Sequence, residues 1–207
     1  GTYGEFRFGA GQKARCVGGV FPGTGIGGAC IYEGRILRGK TSSCMEIGHM
    51  RVQSGGRVCG CGQRGCLETV ASRLAISAEA AAAAYRGEAP HLLEMAGTDL
   101  SSIKSGVLAK AVAEDPVVER IVRNAAQHLG GAIAGVVNLL APDVVVLGGG
   151  LVEAMSDLFL NEVRKTVDNR AMKSFTKSLK IVAAQLGDNA TVMGAAALAA
   201  EAGNGKK

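Results

Sequence analysis

Three cysteines and one histidine lie close together in the first third of the chain. The segment CGCGQRGC contains Cys59, Cys61 and Cys66, and nine residues separate His49 from the first of them. Three thiolates and one imidazole form a common ligand set for a tetrahedral zinc ion. Because four protein ligands leave no open coordination position, we expect such an ion to be structural.

Other uses of these cysteines fit the sequence less well. A disulfide within Cys-x-Cys would be strained, and the chain contains no Cys-x-x-Cys redox pair. Glycines at positions 60, 62 and 65 favour the metal site, because they let the backbone turn tightly enough to direct the three sulfur atoms inward. A group of buried free thiols beside a turn is the remaining alternative.

Polar side chains flank the cysteine cluster on both sides. Glu46 and His49 lie in the segment MEIGHM, and Glu68 follows the last cysteine by two residues. Carboxylate and imidazole groups held near one another suit a hydroxyl-rich ligand, because each oxygen can accept a hydrogen bond from a sugar hydroxyl. Alternatively, Glu46 and Glu68 are surface charges or helix-capping groups.

Two glycine segments could approach a nucleotide, the first at its phosphates and the second at its nucleoside. The first, PGTGIGG at 22–28, contains Thr24, and the second, VLGGGL at 146–151, runs from an apolar segment into a helical pattern. Backbone N–H groups in such loops can converge on an anion. The first segment is not a Walker A motif, because no Lys-Ser/Thr follows, and it is not a dinucleotide fingerprint, because a strand follows it. A hairpin or packing role explains either segment as well.

The composition describes a globular chain with a sizeable core. Of the 207 residues 47% are hydrophobic and 20% charged, and the formal net charge is +5. The basic stretch 161–180 contains one aromatic residue, so we interpret it as a solvated helix face rather than a nucleic-acid surface. We find neither a secretory leader nor a membrane span, and we expect a cytoplasmic protein. In that setting Cys16, Cys30 and Cys44 should behave as small hydrophobic side chains.

The elements that position these motifs follow from periodicity and from turn residues. Residues 1–13 are rich in glycine and lack a clear helix N-cap. An antiparallel meander, several helices and then strand–helix–strand–helix form one α/β unit. The predicted strands are 16–21, 29–34, 35–40, 143–147 and 179–186, and the predicted helices are 67–84, 116–140, 151–167 and 190–202. Residues 41–58 form a long loop, which together with the cysteine segment makes a zinc and sugar loop over 41–68.

Taken together, the motifs resemble the ROK family of bacterial sugar kinases and sugar-responsive repressors. The matching segments are PGTGIGG (22–28), EIGH (46–49), CGCGQRGCLE (59–68), PDVVVLGGG (142–150) and GDNA (187–190). The resemblance implies an actin-like ATPase (ribonuclease H-like) lobe with a structural zinc loop. It also implies a homo-oligomer, a dimer or a tetramer.

The resemblance assigns roles to individual residues. It implies that Glu46, His49 and Glu68 contact the sugar, with His49 also bound to zinc. The residues that it places beside ATP, with Mg²⁺, are Gly23, Thr24, Gly25, Gly27, Gly148, Gly149 and Gly150. The first four would face the phosphates, and the last three the adenosine.

The chain also departs from the family pattern. Family kinases begin with a D-x-G-x-T phosphate strand and carry an Asn-Asp pair whose Asp is the general base, and neither occurs in these 207 residues. The pattern places that Asp just upstream of residue 1, so we interpret 1–207 as a single C-terminal lobe and expect it to be inactive alone. The whole protein would be an ATP-dependent hexose kinase of glucokinase type. The alternatives are a sugar-sensing transcriptional repressor, which would bind nucleic acid, and an oligomerisation domain without a ligand.

Overall fold

The computed structural model describes residues 1–204 and contains one mixed five-stranded sheet. The strands are β1 (Cys16–Pro22), β2 (Ile26–Tyr32), β3 (Arg35–Ile36), β4 (Val144–Leu147) and β5 (Lys180–Ala183). Their order across the sheet is β3-β2-β1-β4-β5. The first three pair antiparallel, which confirms the predicted meander, and β4 and β5 add to β1 in parallel. The predicted α/β fold with a mixed sheet is therefore confirmed.

Helices cover both faces of the sheet. They are α1 (Thr2–Phe8), α2 (Glu68–Ala71), α3 (Arg73–Tyr85), α4 (Pro90–Ala96), α5 (Ser105–Glu114), α6 (Pro116–Leu140), α7 (Gly150–Ala154), α8 (Ser156–Arg170), α9 (Lys173–Thr176) and α10 (Asn189–Asn204). The long helix α6 begins at the predicted Asp115-Pro116 pair, and Ala141 ends it in the left-handed conformation just before Pro142. Among residues 1–204, no helix is both long and apolar enough to cross a membrane.

Alternate residues of β4 divide the core into two parts. Val145 and Leu147 belong to the larger cluster, which includes buried residues of α6 and α8. Val144 and Val146 point to the opposite face, where they share a smaller cluster with Tyr3 of α1 and with partly buried residues of α10. Alternation along a strand explains this division, because successive side chains point to opposite sides of a sheet.

Helix α1 was not among the predicted helices, and its N-cap residue Gly1 makes no side-chain cap hydrogen bond. Gly4 in this helix permits close packing, because a methyl group at this position would collide with the carbonyl oxygen of Ala190. From the other side, a methyl group at Gly194 would lie 2.7 Å from the backbone nitrogen of Gly4. Helices α1 and α10 therefore pack backbone against backbone, and this tertiary contact stabilises a segment of low helix propensity.

The predicted helix 67–84 is divided at Ser72. This residue has an extended ψ of 158°, and its side chain caps α3 by accepting a hydrogen bond from the backbone nitrogen of Ala75 at 3.2 Å. The backbone N–H of Arg73 then donates to the carbonyl oxygen of Gly23 at 2.8 Å instead of continuing α2. The predicted helix 151–167 is also divided, at Met155, which has a ψ of 48° and makes no side-chain cap hydrogen bond. The strands predicted at 35–40 and 179–186 are shorter than expected, since β3 has two residues and β5 has four.

Candidate metal and ligand sites

The four predicted metal ligands come together in the structure. The ligand atoms of His49, Cys59, Cys61 and Cys66 all lie within 4.8 Å of one another. The Nδ1 atom of His49 is 3.6 Å from Sγ of Cys59, and the Sγ atoms of Cys61 and Cys66 are 3.7 Å apart. A tetrahedral zinc ion with bonds of about 2.3 Å to sulfur and about 2.05 Å to nitrogen requires separations of about 3.6 Å for S···N and about 3.8 Å for S···S. The cluster is therefore compatible with zinc.

Short backbone pairings build the cysteine loop around these atoms. An isolated antiparallel bridge joins Val58 to Arg64 on either side of the turn. Within the turn, the backbone nitrogen of Cys59 donates to the carbonyl oxygen of Gln63 at 2.8 Å, and that of Gly62 donates to Cys59 at 2.9 Å. The turn thus brings Cys59 and Cys61 to the same side as Cys66.

Two of the three glycines that were predicted to permit this turn are required by it. Gly62 and Gly65 have φ values of 86° and 78°, in the left-handed region that side chains rarely adopt. A methyl group at Gly65 would also collide with the carbonyl oxygen of Gln53. At Gly60 it would meet no atom within 4 Å, so the expectation was wrong in including that residue.

The thiols of the cluster differ in their readiness to lose a proton. Burial raises the pKa of Cys66 to about 11. A hydrogen bond from the backbone of Gln63 lowers the pKa of the exposed Cys61. Because a metal ion binds the thiolate form, binding would release the proton of Cys66 and become weaker on acidification.

Glu68 connects the cysteine loop to the first glycine segment. Its Oε2 accepts a hydrogen bond from the backbone nitrogen of Ile26 at 3.1 Å, and its Oε1 lies 3.8 Å from Sγ of Cys59. The side chain is half-buried at the beginning of α2. Its carboxylate therefore has structural contacts on both oxygens while part of it faces solvent.

The segment that carries Glu46 and His49 packs on the same residue of β2. A methyl group at Gly48 would collide with the carbonyl oxygen of Ile26, so this glycine permits the close approach. Glu46 and His49 are both exposed, and the backbone nitrogen of His49 donates to the carbonyl oxygen of Glu46 at 3.0 Å. The segments of all three predicted sugar-binding residues are thus held around the backbone of Ile26.

A cleft of about 620 Å³ joins the two glycine segments, although they lie far apart in the sequence. Gly27 lines one wall, and Gly149 and Gly150 line another. Gly187 and Asp188 of the GDNA segment form part of the same cleft. GDNA was recognised only as a segment that matches the family, so its position in this cleft was missed.

The other residues that were predicted to contact the phosphates or the adenosine have surroundings different from this cleft. Thr24 lines a separate cavity of about 350 Å³ together with Cys59 and Glu68. Gly23 and Gly25 form the turn beside Thr24, with the backbone nitrogen of Gly23 donating to the carbonyl oxygen of Gly25 at 2.8 Å. Gly148 is buried, because a methyl group there would lie 2.6 Å from the ring of Phe21. Within the second glycine segment, Gly148 thus packs against Phe21.

The buried Glu5 also shapes the cleft, although no motif or pattern around it predicts such a role. Its Oε1 accepts hydrogen bonds from the backbone nitrogens of Gln185 and Leu186 at 2.9 and 2.8 Å. Its Oε2 accepts one from Ala10 at 2.8 Å. Glu5 is fully buried, so this carboxylate fixes the segment that leads into Gly187.

Comparison with known proteins places the chain in a family. The family model described as ROK matches residues 1–202. The glucokinase of Thermotoga maritima is 32% identical over 198 residues, which are 96% of this chain and 62% of that relative. The chain therefore belongs to the ROK family, and it spans less than two thirds of the length of this relative.

Two solved structures are equally similar in fold. A ROK family glucokinase from Streptomyces griseus, in complex with glucose and AMPPNP, has a TM-score of 0.81 and 34% identity, over 95% of this chain and 64% of that one. A ROK family transcriptional regulator homologous to the Escherichia coli MLC protein also has a TM-score of 0.81, with 29% identity over 94% of this chain and 48% of that one. Kinases and regulators of the family thus share the fold of this chain.

Proposed function

We propose that this chain is the C-terminal lobe of an ATP-dependent hexose kinase of glucokinase type, with an actin-like (ribonuclease H-like) fold. The observation that carries the proposal is the arrangement around β2. One stretch of this strand holds the Glu46, His49 and Glu68 segments and also contributes Gly27 to the cleft shared with Gly149 and Gly150. A kinase needs a hydroxyl-binding wall and a phosphate-binding cleft side by side.

The hexose would bind to the wall formed by Glu46, His49 and Glu68. Each carboxylate can accept hydrogen bonds from sugar hydroxyls, and bonds to a charged acceptor are stronger than neutral ones. His49 directs Nδ1 towards Cys59, which leaves Nε2 available to the sugar. One imidazole would therefore contact the metal and the substrate through different nitrogens.

A structural zinc ion would be held by His49, Cys59, Cys61 and Cys66. The separations between their ligand atoms support this assignment. When bound, the ion would stabilise the loop geometry and supply no reactive coordination position, because the protein fills all four. The loop that it fixes carries the sugar-binding side chains at both of its ends.

ATP, with Mg²⁺, would occupy the cleft between the glycine segments. The cleft is lined directly by Gly27, Gly149 and Gly150. The neighbouring turn, which consists of Gly23, Thr24 and Gly25, would contact the terminal phosphate. In the reaction a hexose hydroxyl oxygen attacks the γ-phosphorus, the bond to the β-phosphate oxygen breaks, and ADP leaves. The hydroxyl proton would pass to the Asp base that the family pattern places upstream of residue 1.

A sugar-sensing repressor is the second candidate. The observation in its favour is the TM-score of 0.81 to a transcriptional regulator, equal to that of the glucokinase. Such a protein would bind the sugar through the same wall and would bind DNA through a segment outside residues 1–207. The glycine turn at 23–25 favours the kinase, because a repressor has less need of a phosphate site.

A coupled hexose-phosphorylation assay tests the proposal. We expect the 207-residue chain to show no turnover above background, because loss of a general base alone costs about 10²–10⁴ in rate and loss of the opposing lobe removes positioning as well. The full-length protein should phosphorylate a hexose with ATP. Turnover by the short chain would contradict the single-lobe interpretation, and an inactive full-length protein that binds DNA would favour the repressor.

A further inference from the structure

Arg73 lies at the junction between the glycine turn and helix α3. Its guanidinium Nη2 donates a hydrogen bond to Oγ1 of Thr24 at 3.1 Å, and its backbone nitrogen donates to the carbonyl oxygen of Gly23 at 2.8 Å. The side chain is half-buried. A cationic group is therefore fixed against the turn that we assign to the terminal phosphate, and the contact to Thr24 leaves several of its five N–H donors unused.

A groove of about 470 Å³ opens beside Arg73. Lys104, Ser101 and Ser105 line it together with Leu74 and Leu100. Among the described residues no acidic side chain lines the groove, but the nearby carboxylate of Asp99 accepts hydrogen bonds from Ser101 and Ser102, so the Ser101 hydroxyl is already used as a donor. Two cations and the hydroxyl group of Ser105 are the donors that suit an anion.

The groove lies between the two proposed substrate sites. On one side, a methyl group at Gly150 of the nucleotide cleft would lie 3.3 Å from Oγ of Ser105. On the other side, Thr24 and Leu74 line the cavity that also contains Glu68. Arg73 therefore lines a groove that borders both proposed sites.

We infer that Arg73 and Lys104 form a binding site for a phosphate chain, which contacts the transferred end of the phosphoryl donor. The inference rests on the proposed kinase function where it names the donor, while the anion site itself rests on the geometry of the groove. Both the triphosphate of a nucleotide and inorganic polyphosphate offer this chemistry. In either case the guanidinium and the ammonium would offset the negative charge of the phosphate oxygens.

Calorimetric titration of the 207-residue chain with tripolyphosphate, ATP and AMP at fixed, low ionic strength tests the site. We expect saturable binding of tripolyphosphate, and binding of ATP stronger than that of AMP. Arg73→Gln and Lys104→Gln should each weaken tripolyphosphate binding by about three- to fivefold, because the groove is partly exposed to solvent. Arg73→Lys should weaken it less than Arg73→Gln, since it keeps the charge.

Arg86→Gln and Lys110→Gln are matched controls, because both residues are exposed and lie outside the groove. They should leave the affinity unchanged. Unsaturable binding to the wild-type chain, equal losses in control and groove variants, or unchanged affinity in Arg73→Gln and Lys104→Gln would each overturn the inference. If Arg73→Gln does not fold, as judged by circular dichroism, Arg73→Lys and Lys104→Gln decide it. Tripolyphosphate binding that depends on Arg73, found with a full-length protein that lacks kinase activity, would preserve the anion site and contradict the kinase.

Discussion

The carboxylate of Glu68 accepts a hydrogen bond from the backbone nitrogen of Ile26 at 3.1 Å, across 42 residues of sequence. This bond ties the end of the cysteine loop to the strand that follows the glycine turn. The same carboxylate is proposed to bind a sugar hydroxyl. A substitution that tests sugar binding must therefore remove the charge of Glu68 and keep the hydrogen bond to Ile26.

Glu68→Gln meets both conditions. The amide oxygen of glutamine can still accept from Ile26, so we expect the free energy of unfolding to change by less than about 1 kcal/mol. Hexose affinity of the full-length protein should fall about tenfold, because a charged acceptor is replaced by a neutral one. Calorimetry with the hexose measures the affinity, and the exposed Glu94→Gln is the control. Unchanged affinity would remove Glu68 from the sugar site.

Purified protein should contain about one zinc ion per chain, because a closed site of three thiolates and one imidazole binds zinc tightly at neutral pH. Cys59→Ser should lower the metal content to below about 0.2 per chain and destabilise the loop. Elemental analysis of protein prepared without chelator measures the content. Cys44→Ser is the control, since Cys44 lies outside the cluster and its Sγ contacts the carbonyl oxygen of Leu37 at 3.1 Å. Metal-free wild-type protein would refute the zinc assignment.

His91 should make stability depend on pH near neutrality. Its Nδ1 lies 3.0 Å from Oδ1 of Asp115, and this contact raises the pKa of His91 above 6.5. For Asp115, burial alone would raise the pKa, but the hydrogen bonds from His91 and from the backbone of Leu92 outweigh it and the pKa is lowered. A histidine whose pKa is raised by folding stabilises the folded state below its unfolded pKa, and this stabilisation is lost as the pH rises through the folded value.

The difference in unfolding free energy between wild type and His91→Gln should therefore be largest at about pH 5.5–6 and shrink towards about pH 8.5. Urea denaturation at several pH values measures it, and taking the difference between the two proteins cancels every contribution that both share. A difference that is constant or grows with pH would contradict the ion pair.

Glu5→Ala should destabilise the chain strongly. It leaves the three backbone nitrogens of Ala10, Gln185 and Leu186 without their buried acceptor, which should cost about 3 kcal/mol or more. Denaturation in urea measures the loss. Glu33→Ala is the control, because its ion pair with Arg15 is exposed to solvent and should contribute little to stability. Equal losses in the two variants would show that the buried carboxylate has no special role.

Local patterns were sufficient for several parts of this molecule. The Asp115-Pro116 pair predicts the beginning of α6, because an N-terminal proline lacks only a hydrogen bond that the first turn does not make. The metal cluster was predictable because three of its four ligands lie within eight residues, so a single turn brings them together.

Contacts between distant segments were beyond local patterns. Helix α1 depends on the approach of Gly4 to Ala190, and the division of α2 from α3 depends on the bond from Arg73 to Gly23. The positions of Thr24 and Gly148 also follow from tertiary packing, which placed one beside Glu68 and the other beneath Phe21. Each of these contacts joins residues that lie at least 44 positions apart in the chain, and periodicity within one segment does not predict such a pairing.

The backbone contact between α1 and α10 has a consequence for the order of folding. Helix α1 has only seven residues, fewer than an isolated helix needs to be stable in water. Its partner is the last helix of the described chain, so the contact closes a loop of nearly the whole sequence, and loop closure over long separations is slow. During synthesis, residues 2–8 would become helical only after residues 189–204 have been made and can pack against them. The sheet and its α6–α8 layer would be complete first, and α1 would join as the final step.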